Sequence, residues 1–218
     1  MKSLLALAVL SFALAFCGLG DKIKQLSGGG TPANSNSPAN SNSPATGSKS
    51  PTGGDSVEKA TPTSEQQAIA DAGEKTSWDD QGMSWMLPKG WKKMTATKAS
   101  FNYSSPDMAF LLVNISDMPS NFPAETSLKA TYESSVDQLR TGKYEKVRYL
   151  EIDGIKGVEF IETMPESKGD PRRHQWIGYR TYQGNNQMLN VMLSTKGSNF
   201  EKHNNDFPAI LYSMKIGK

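Results

Sequence analysis

The 218-residue chain is poor in the side chains that announce chemistry: it has one cysteine, Cys17, and two histidines, His174 and His203. One cysteine excludes an internal disulfide framework and a thiolate-rich metal site, and two distant histidines without an H-E-x-x-H spacing offer no histidine-based one. No metal site is assigned. Charge of one sign is missing as well, since 24 Lys and Arg face 22 Asp and Glu for a net +2. That balance excludes nucleic acid as an electrostatic partner. There is no G-x-S-x-G elbow, no P-loop and no G-x-G-x-x-G, so neither a hydrolase nucleophile nor a phosphate cradle is present. The acid pairs Asp79-Asp80 and Glu159 with Glu162 read as solvated faces, because proximity along the chain does not create a catalytic separation across a cleft. The reading is of a protein that is not an enzyme, with no catalytic residue and no cofactor. The ten methionines are scattered, which fits core filling better than a soft-metal site.

Long hydrophobic runs are absent except at the start. After Lys2, Leu4 to Phe16 form a nearly unbroken apolar stretch of thirteen residues, short of the roughly 20 that span a bilayer and matched to an export signal over residues 1–16. Cys17 follows directly, and Leu14-Ala15-Phe16-Cys17 resembles the lipobox of bacterial lipoproteins, with Phe16 larger than the usual residue before the cysteine. The resemblance implies that Cys17 becomes the lipid-modified N-terminus, a membrane anchor. Ala13-Leu14-Ala15 is also an A-x-A site, and cleavage after Ala15 is the alternative. Lipidation predicts an exported protein attached to a bacterial membrane and facing the periplasm or cell surface.

From Ser27 to Ser64 the only large apolar side chain is Val57, and PANSNS occurs twice in tandem, at Pro32–Ser37 and Pro38–Ser43. Such a stretch cannot bury enough surface to offset its chain entropy, which predicts a disordered linker within residues 17–75. As a flexible coil of about 40 residues it would span on the order of 35 Å. Ser64 with Gln67 has the form of a capping box for a short helix ending near Gly73.

Residues 76–218 carry the pattern of one globular domain. Phe110 to Ile115 is apolar on both alternating faces, which predicts a central strand covered on both sides. Val147–Ile152 and Ile155–Thr163 flank Asp153-Gly154, a strong hairpin signal, and Trp176–Tyr182 and Met188–Thr195 flank a longer loop at residues 183–186. Leu128, Tyr132, Val136 and Leu139 form one helical stripe after Thr126 as N-cap. A second helical stretch begins at Ser198 or Asn199, with Phe200, Phe207, Ile210, Leu211 and Met214 inward and Pro208 dividing it.

Ser84 to Trp91 with its Leu87-Pro88-Lys89-Gly90-Trp91 motif, the Leu150 to Gly157 hairpin, Trp176 to Arg180 and the closing Phe207 to Ile216 segment are similar to the Mog1/PsbP-like superfamily. The resemblance implies an α+β fold, an α/β/α sandwich with a central, mostly antiparallel sheet. It implies no single activity, because the fold hosts unrelated roles.

The densest functional signal is Arg172 to Tyr182, which holds three of the five arginines beside three large aromatics. As a strand it would put Arg172, His174, Trp176, Arg180 and Tyr182 on one face, and with Tyr179 these form a candidate interaction patch of the residue types that dominate interfaces. Cross-strand packing of the same residues is the competing reading. Together these features predict a non-catalytic, membrane-anchored envelope lipoprotein whose domain binds or scaffolds an envelope protein. The alternatives are a small-ligand carrier with a cleft between sheet and helix, and an enzyme with a dispersed active site.

Overall fold

The structure is a computed structural model that describes residues 56–217; Cys17, the export signal and the repeat lie outside the described residues. In chain order the elements are β1 (Glu58–Lys59), α1 (Ser64–Ala72), β2 (Glu74–Trp78), β3 (Met83–Leu87), β4 (Lys92–Ala96), β5 (Ser100–Ser104), β6 (Phe110–Met118), α2 (Ala124–Arg140), β7 (Tyr144–Ile152), β8 (Ile155–Glu162), β9 (Pro171–Tyr182), β10 (Asn185–Lys196), α3 (Gly197–Phe200), α4 (Asp206–Tyr212) and β11 (Lys215–Ile216). Short 3₁₀ turns occupy Asp79–Gln81 and Glu201–His203.

Two hairpins organise the main sheet. Asp153-Gly154 joins β7 to β8 with both residues at positive φ, 49° and 79°, the conformation whose twist matches that of the flanking strands. Gln183-Gly184 joins β9 to β10 in the same way, at 49° and 80°. This second turn has two residues instead of the expected four, because Asn185 and Asn186 continue the ladder opposite Tyr182 and Thr181. The eight-stranded sheet runs β1-β7-β8-β9-β10-β6-β5-β4, antiparallel throughout except for the parallel pair β1 and β7. A separate three-stranded sheet, β11-β3-β2, contains the strand leading into the Leu87-Pro88 motif.

Three layers result, the expected mixed α+β sandwich with a large central sheet. On one face α2 lays Leu128 and Tyr132 over Tyr149, Val158 and Phe160, the two tyrosine rings stacking at 4.0 Å. On the other, α4 and the small sheet bury Trp85, Phe207, Ile210 and Met214 against Leu111, Val113, Leu150, Trp176 and Val191. Burial of this kind contributes about 25 cal/mol per Å² of apolar surface.

Several local expectations shift. α1 is capped one residue earlier than read, by Thr63: the Gln66 N–H donates to Thr63 Oγ1 at 3.2 Å and the Thr63 N–H to Gln66 Oε1 at 3.0 Å. α1 packs on α4, and β1 pairs with β7, so packed elements begin at Glu58, before residue 76. α2 starts at Ala124 after Pro123, two residues ahead of Thr126. Pro208 does fall in a divided helix, within the first turn of α4, where a missing N–H costs nothing. β6 is central but covered on one face only: Leu111, Val113 and Ile115 are buried, whereas Phe110, Leu112 and Asn114 are half-buried. Met83 and Met214 fill the core as expected, while Met94, Met108 and Met164 are exposed.

Trp176 is the tightest fit. Its indole N–H donates to the Leu150 carbonyl at 3.0 Å, and the ring fills a slot between two glycines. A Cβ on Gly157 would lie 2.3 Å from Trp176 Cε2, and one on Gly178 2.6 Å from Cη2. Overpacking here is expected to cost about 2 kcal/mol. Urea unfolding of Gly157→Ala should therefore show a lower midpoint with an unchanged slope; an unchanged midpoint would mean that the slot yields.

Candidate functional site

The six residues of the expected patch do not form a surface. Alternation along β9 puts Arg172, His174, Trp176 and Arg180 on one face as read, but that face is turned to the α4 and small-sheet layer, and their exposures are 3, 5, 0 and 4%. Tyr179 lies on the opposite face, its ring 5.3 Å from that of Phe122. Tyr182 is half-buried beneath the Arg180 guanidinium at 4.3 Å. Arg172 is consumed at the far end of the strand, donating to the Glu162 carbonyl at 2.8 Å, pairing with Glu201 at 2.8 Å and Glu145 at 2.7 Å, and lying over the Phe200 ring. The displayed basic aromatic patch is replaced by cross-strand and interlayer packing, as a strand covered by a second layer requires.

Glu159, read as part of a solvated pair, is fully buried. Its carboxylate receives Arg148 Nε at 2.5 Å and His174 Nε2 at 2.9 Å, with Lys146 Nζ at 3.4 Å. Arg148 also donates to Tyr212 Oη at 2.9 Å and pairs with Glu58, and the His174 ring packs 4.4 Å from Phe207. Burial pushes Glu159 up, but its hydrogen bond and charge interaction with His174, together with Arg148 and Lys146, outweigh that and hold it at about 2. Burial pushes His174 down against the pull of Glu159. These are residue types of general acid–base chemistry, yet Glu159 and His174 are closed on each other between two layers, and neither lines the polar cleft beside the β9–β10 hairpin.

That cleft, about 600 Å³, lies where the Asp79–Gln81 turn, the β4–β5 loop, the end of β6 and the β9–β10 hairpin meet. Gln81 and Gln187 form its floor, both buried. Behind them Arg180 donates through Nε to Gln187 Oε1 at 3.0 Å, through Nη2 to Gln81 Oε1 at 3.1 Å and through Nη1 to the Gly217 carbonyl at 2.9 Å. All three acceptors are neutral, and burial pushes Arg180 down. Because both amide oxygens face the guanidinium, the amide nitrogens face the walls: Gln81 donates to the Lys98 carbonyl at 2.6 Å and Gln187 to Asp117 at 3.2 Å. Asp79, Asp80, Lys98, Asn185 and Tyr182 also line the cleft. A shallower hollow of about 430 Å³ beside Trp78 and Phe101 shares Asp79, Asp80 and Lys98.

The cleft is thus a fixed set of hydrogen-bonding groups suited to a polar ligand or a polar loop of a partner. Its lining contains no histidine, cysteine or serine, and among the described residues no group of three or more His, Cys, Asp or Glu is placed to hold a metal ion. It opens at the end of the sheet, not between sheet and helix. Of the expected residues it uses only Tyr182, with Arg180 as support. Gln81, Asp117 and Gln187 went unread because they come from remote segments, although a two-residue turn at Gln183-Gly184 would have paired Arg180 with Gln187.

His203 is the second closed imidazole. Nδ1 lies 2.8 Å from Asp206 and Nε2 3.1 Å from Asp107, which ties the β5–β6 loop to the start of α4. The hydrogen bond to Asp206, with the charge of Asp107, outweighs burial and raises its pKa.

No protein-family model matches the chain, and no curated protein does. Solved structures do match. LpqN of Mycobacterium tuberculosis, described as involved in cell envelope biogenesis, has a TM-score of 0.48 at 11% identity over 67% of this chain and 86% of its own. Cyanobacterial PsbP of Synechocystis has 0.42 at 16% over 66% and 93%, and the Ran-binding protein Mog1p of Saccharomyces cerevisiae 0.39 at 10% over 66% and 95%. The chain spans about half, 49%, of a Bacteroides thetaiotaomicron protein that it matches over 67% of its own length with a TM-score of 0.45 at 13% identity. The likeness is one of strand and helix arrangement and extends to no activity, partner or residue role.

Two outcomes follow from the closed pairs. Glu159→Gln leaves Arg148 without its buried partner and should cost about 3 kcal/mol in chemical denaturation; full stability would show that Arg148 re-pairs. Since the folded pKa of His203 lies above 6.5, its contribution is fully present below that value and is lost as pH rises through the folded one. The stability gap between the wild type and His203→Gln should therefore shrink as pH rises above 6.5; a gap that widens would reverse the assignment.

Proposed function

We propose that the chain is a non-catalytic, membrane-anchored lipoprotein of a bacterial envelope that uses the polar cleft to hold a protein component of that envelope. Cys17 is the anchor, and the Ser/Pro/Asn-rich segment carries the domain away from the lipid surface. The observation that supports binding over catalysis is the division of polar groups. The acid–base candidates Glu159, His174 and His203 are spent on internal partners, while the cleft is lined by Asp79, Asp80 and Asp117 together with two amides whose oxygens Arg180 holds from behind. Among the described residues no helix is long and apolar enough to cross a membrane, so attachment in this reading falls to the lipid.

Anchoring and binding are tested separately. In the producing cell, Cys17→Ser should abolish incorporation of labelled fatty acid and move the protein out of the membrane fraction; a variant that keeps both its membrane fractionation and its processed mass would sink the lipid anchor. For the cleft, in-cell crosslinking of the anchored protein should yield an adduct with an envelope protein that Asp117→Lys reduces at least tenfold, while the melting temperature is retained. An adduct unaffected by Asp117→Lys would move the binding surface elsewhere.

A further inference from the structure

The β5–β6 loop, residues 105–109, lies at the end of β6 opposite the cleft. It is a tight turn: the Met108 N–H donates to the Ser105 carbonyl at 3.3 Å, the Ser105 N–H to the Ala109 carbonyl at 2.8 Å and the Ala109 N–H to Ser105 Oγ at 2.8 Å. Met108 stands in it at a φ of 70°, the left-handed region that favours glycine. A side chain there strains the turn, so its closed form depends on what holds it from behind.

Three hydrogen bonds join the loop to the layer behind it. Thr195 Oγ1 donates to the Met108 carbonyl at 3.2 Å, Asn199 Nδ2 to the Asp107 carbonyl at 3.0 Å, and His203 Nε2 lies 3.1 Å from Asp107 Oδ1. The last of these depends on a proton. Both ring nitrogens of His203 face carboxylates, Nδ1 towards Asp206 at 2.8 Å and Nε2 towards Asp107. An imidazolium donates to both, whereas a neutral imidazole has a single N–H and turns a lone pair towards one of them. Asp206 is the partner that keeps the N–H, being the shorter contact and the less exposed carboxylate, 20% against 42%. A donor already waits for the other nitrogen, since Asn199 Nδ2 is 3.4 Å from Nε2. Its two protons are otherwise given to the Asp107 carbonyl and, at 3.3 Å, to Thr195 Oγ1. Turning to the ring therefore takes it from one of the groups that hold the loop.

We infer that His203 operates the β5–β6 loop as a pH latch, shut while the imidazole is protonated and released when that proton passes to solvent. Asp107 and Asp206 are the charged groups that face the ring. Asn199 of α3 and Trp91 of the β3–β4 loop, edge-on at 6.0 Å, are neutral, Glu201 of the same turn is engaged by Arg172, and Lys202 is exposed. The Ser105 hydroxyl holds the Asp107 carboxyl below the usual range, so the imidazole is the member that titrates. The hydrogen bond to Asp206 and the charge of Asp107 raise its folded pKa above 6.5. The latch is accordingly shut below that value and opens as pH rises through the folded one.

Residues 18–218 contain the entire compact unit Pro51–Lys218 with the segment before it. In this chain, hydrogen exchange at the Met108 and Ala109 amides, corrected for the intrinsic pH dependence of exchange, should lose protection at least tenfold as pH rises from below 6.5 through the folded pKa. Amides of β10 should keep theirs, which shows that the domain stays folded. The midpoint of the loss should coincide with that of the His203 ring signal followed by NMR. Asp107→Asn removes the carboxylate from the loop and leaves the Asp206 contact, so it should abolish the pH dependence at Met108 and Ala109 while β10 remains protected. Loop protection that does not change with pH overturns the inference. So does a midpoint that departs from that of the His203 ring, or a pH dependence that survives Asp107→Asn.

Discussion

A single buried anion dictates how the layers meet. Glu159 on β8 has no access to water, and a carboxylate in that position is tolerated only if its neighbours are placed to receive it. Those neighbours come from everywhere: Arg148 from β7, His174 from β9, and, through Arg148, Tyr212 from α4 and Glu58 from β1. Displacing any of these elements leaves a charge or a hydrogen bond unmet. Trp176, directly opposite Glu159 across the β8–β9 ladder, adds a steric condition to the electrostatic one by filling the slot between two glycines. Ion pairing and ring packing thus act on facing positions of neighbouring strands, which makes the interlayer arrangement difficult to relax piecemeal.

β9 behaves as a spine with two unlike ends. Toward its start, Arg172 is matched by carboxylates and a carbonyl; toward its end, Arg180 is matched by amides and a carbonyl. The first arrangement neutralises a charge in place. The second leaves the charge formally unpaired and uses it to orient two glutamines at the floor of the cleft. One residue type on one strand is accordingly held by chemically distinct partners at its two ends.

Much of the architecture was legible in the sequence because it follows from local rules. Asp153-Gly154 fixed a hairpin, the Leu128, Tyr132, Val136 and Leu139 stripe fixed a helix face, and Pro208 marked a divided segment. The errors also have physical causes. Phe110 to Ile115 looks buried on both faces, but an apolar pattern records what a face can bury and not whether a layer arrives to bury it. Glu159 looked solvated because charge is read one residue at a time; the Asp-Gly register pairs Ile152 with Ile155 and hence Arg148 with Glu159, so half of that network was available. The cleft was not, since Gln81, Asp117 and Gln187 converge only when both sheets are assembled.

β1 has only two ladder residues, yet it is where the described chain joins the sheet, parallel to β7, with Glu58 paired to Arg148 and the Ala60 N–H donating to the Glu151 carbonyl at 3.2 Å. A tension applied along this strand from the N-terminal side loads those bonds together in shear instead of opening them one after another. It also passes through Arg148 directly into the Glu159 core. The strand by which the described chain enters the sheet is short in sequence but mechanically continuous with the domain's most tightly determined interior.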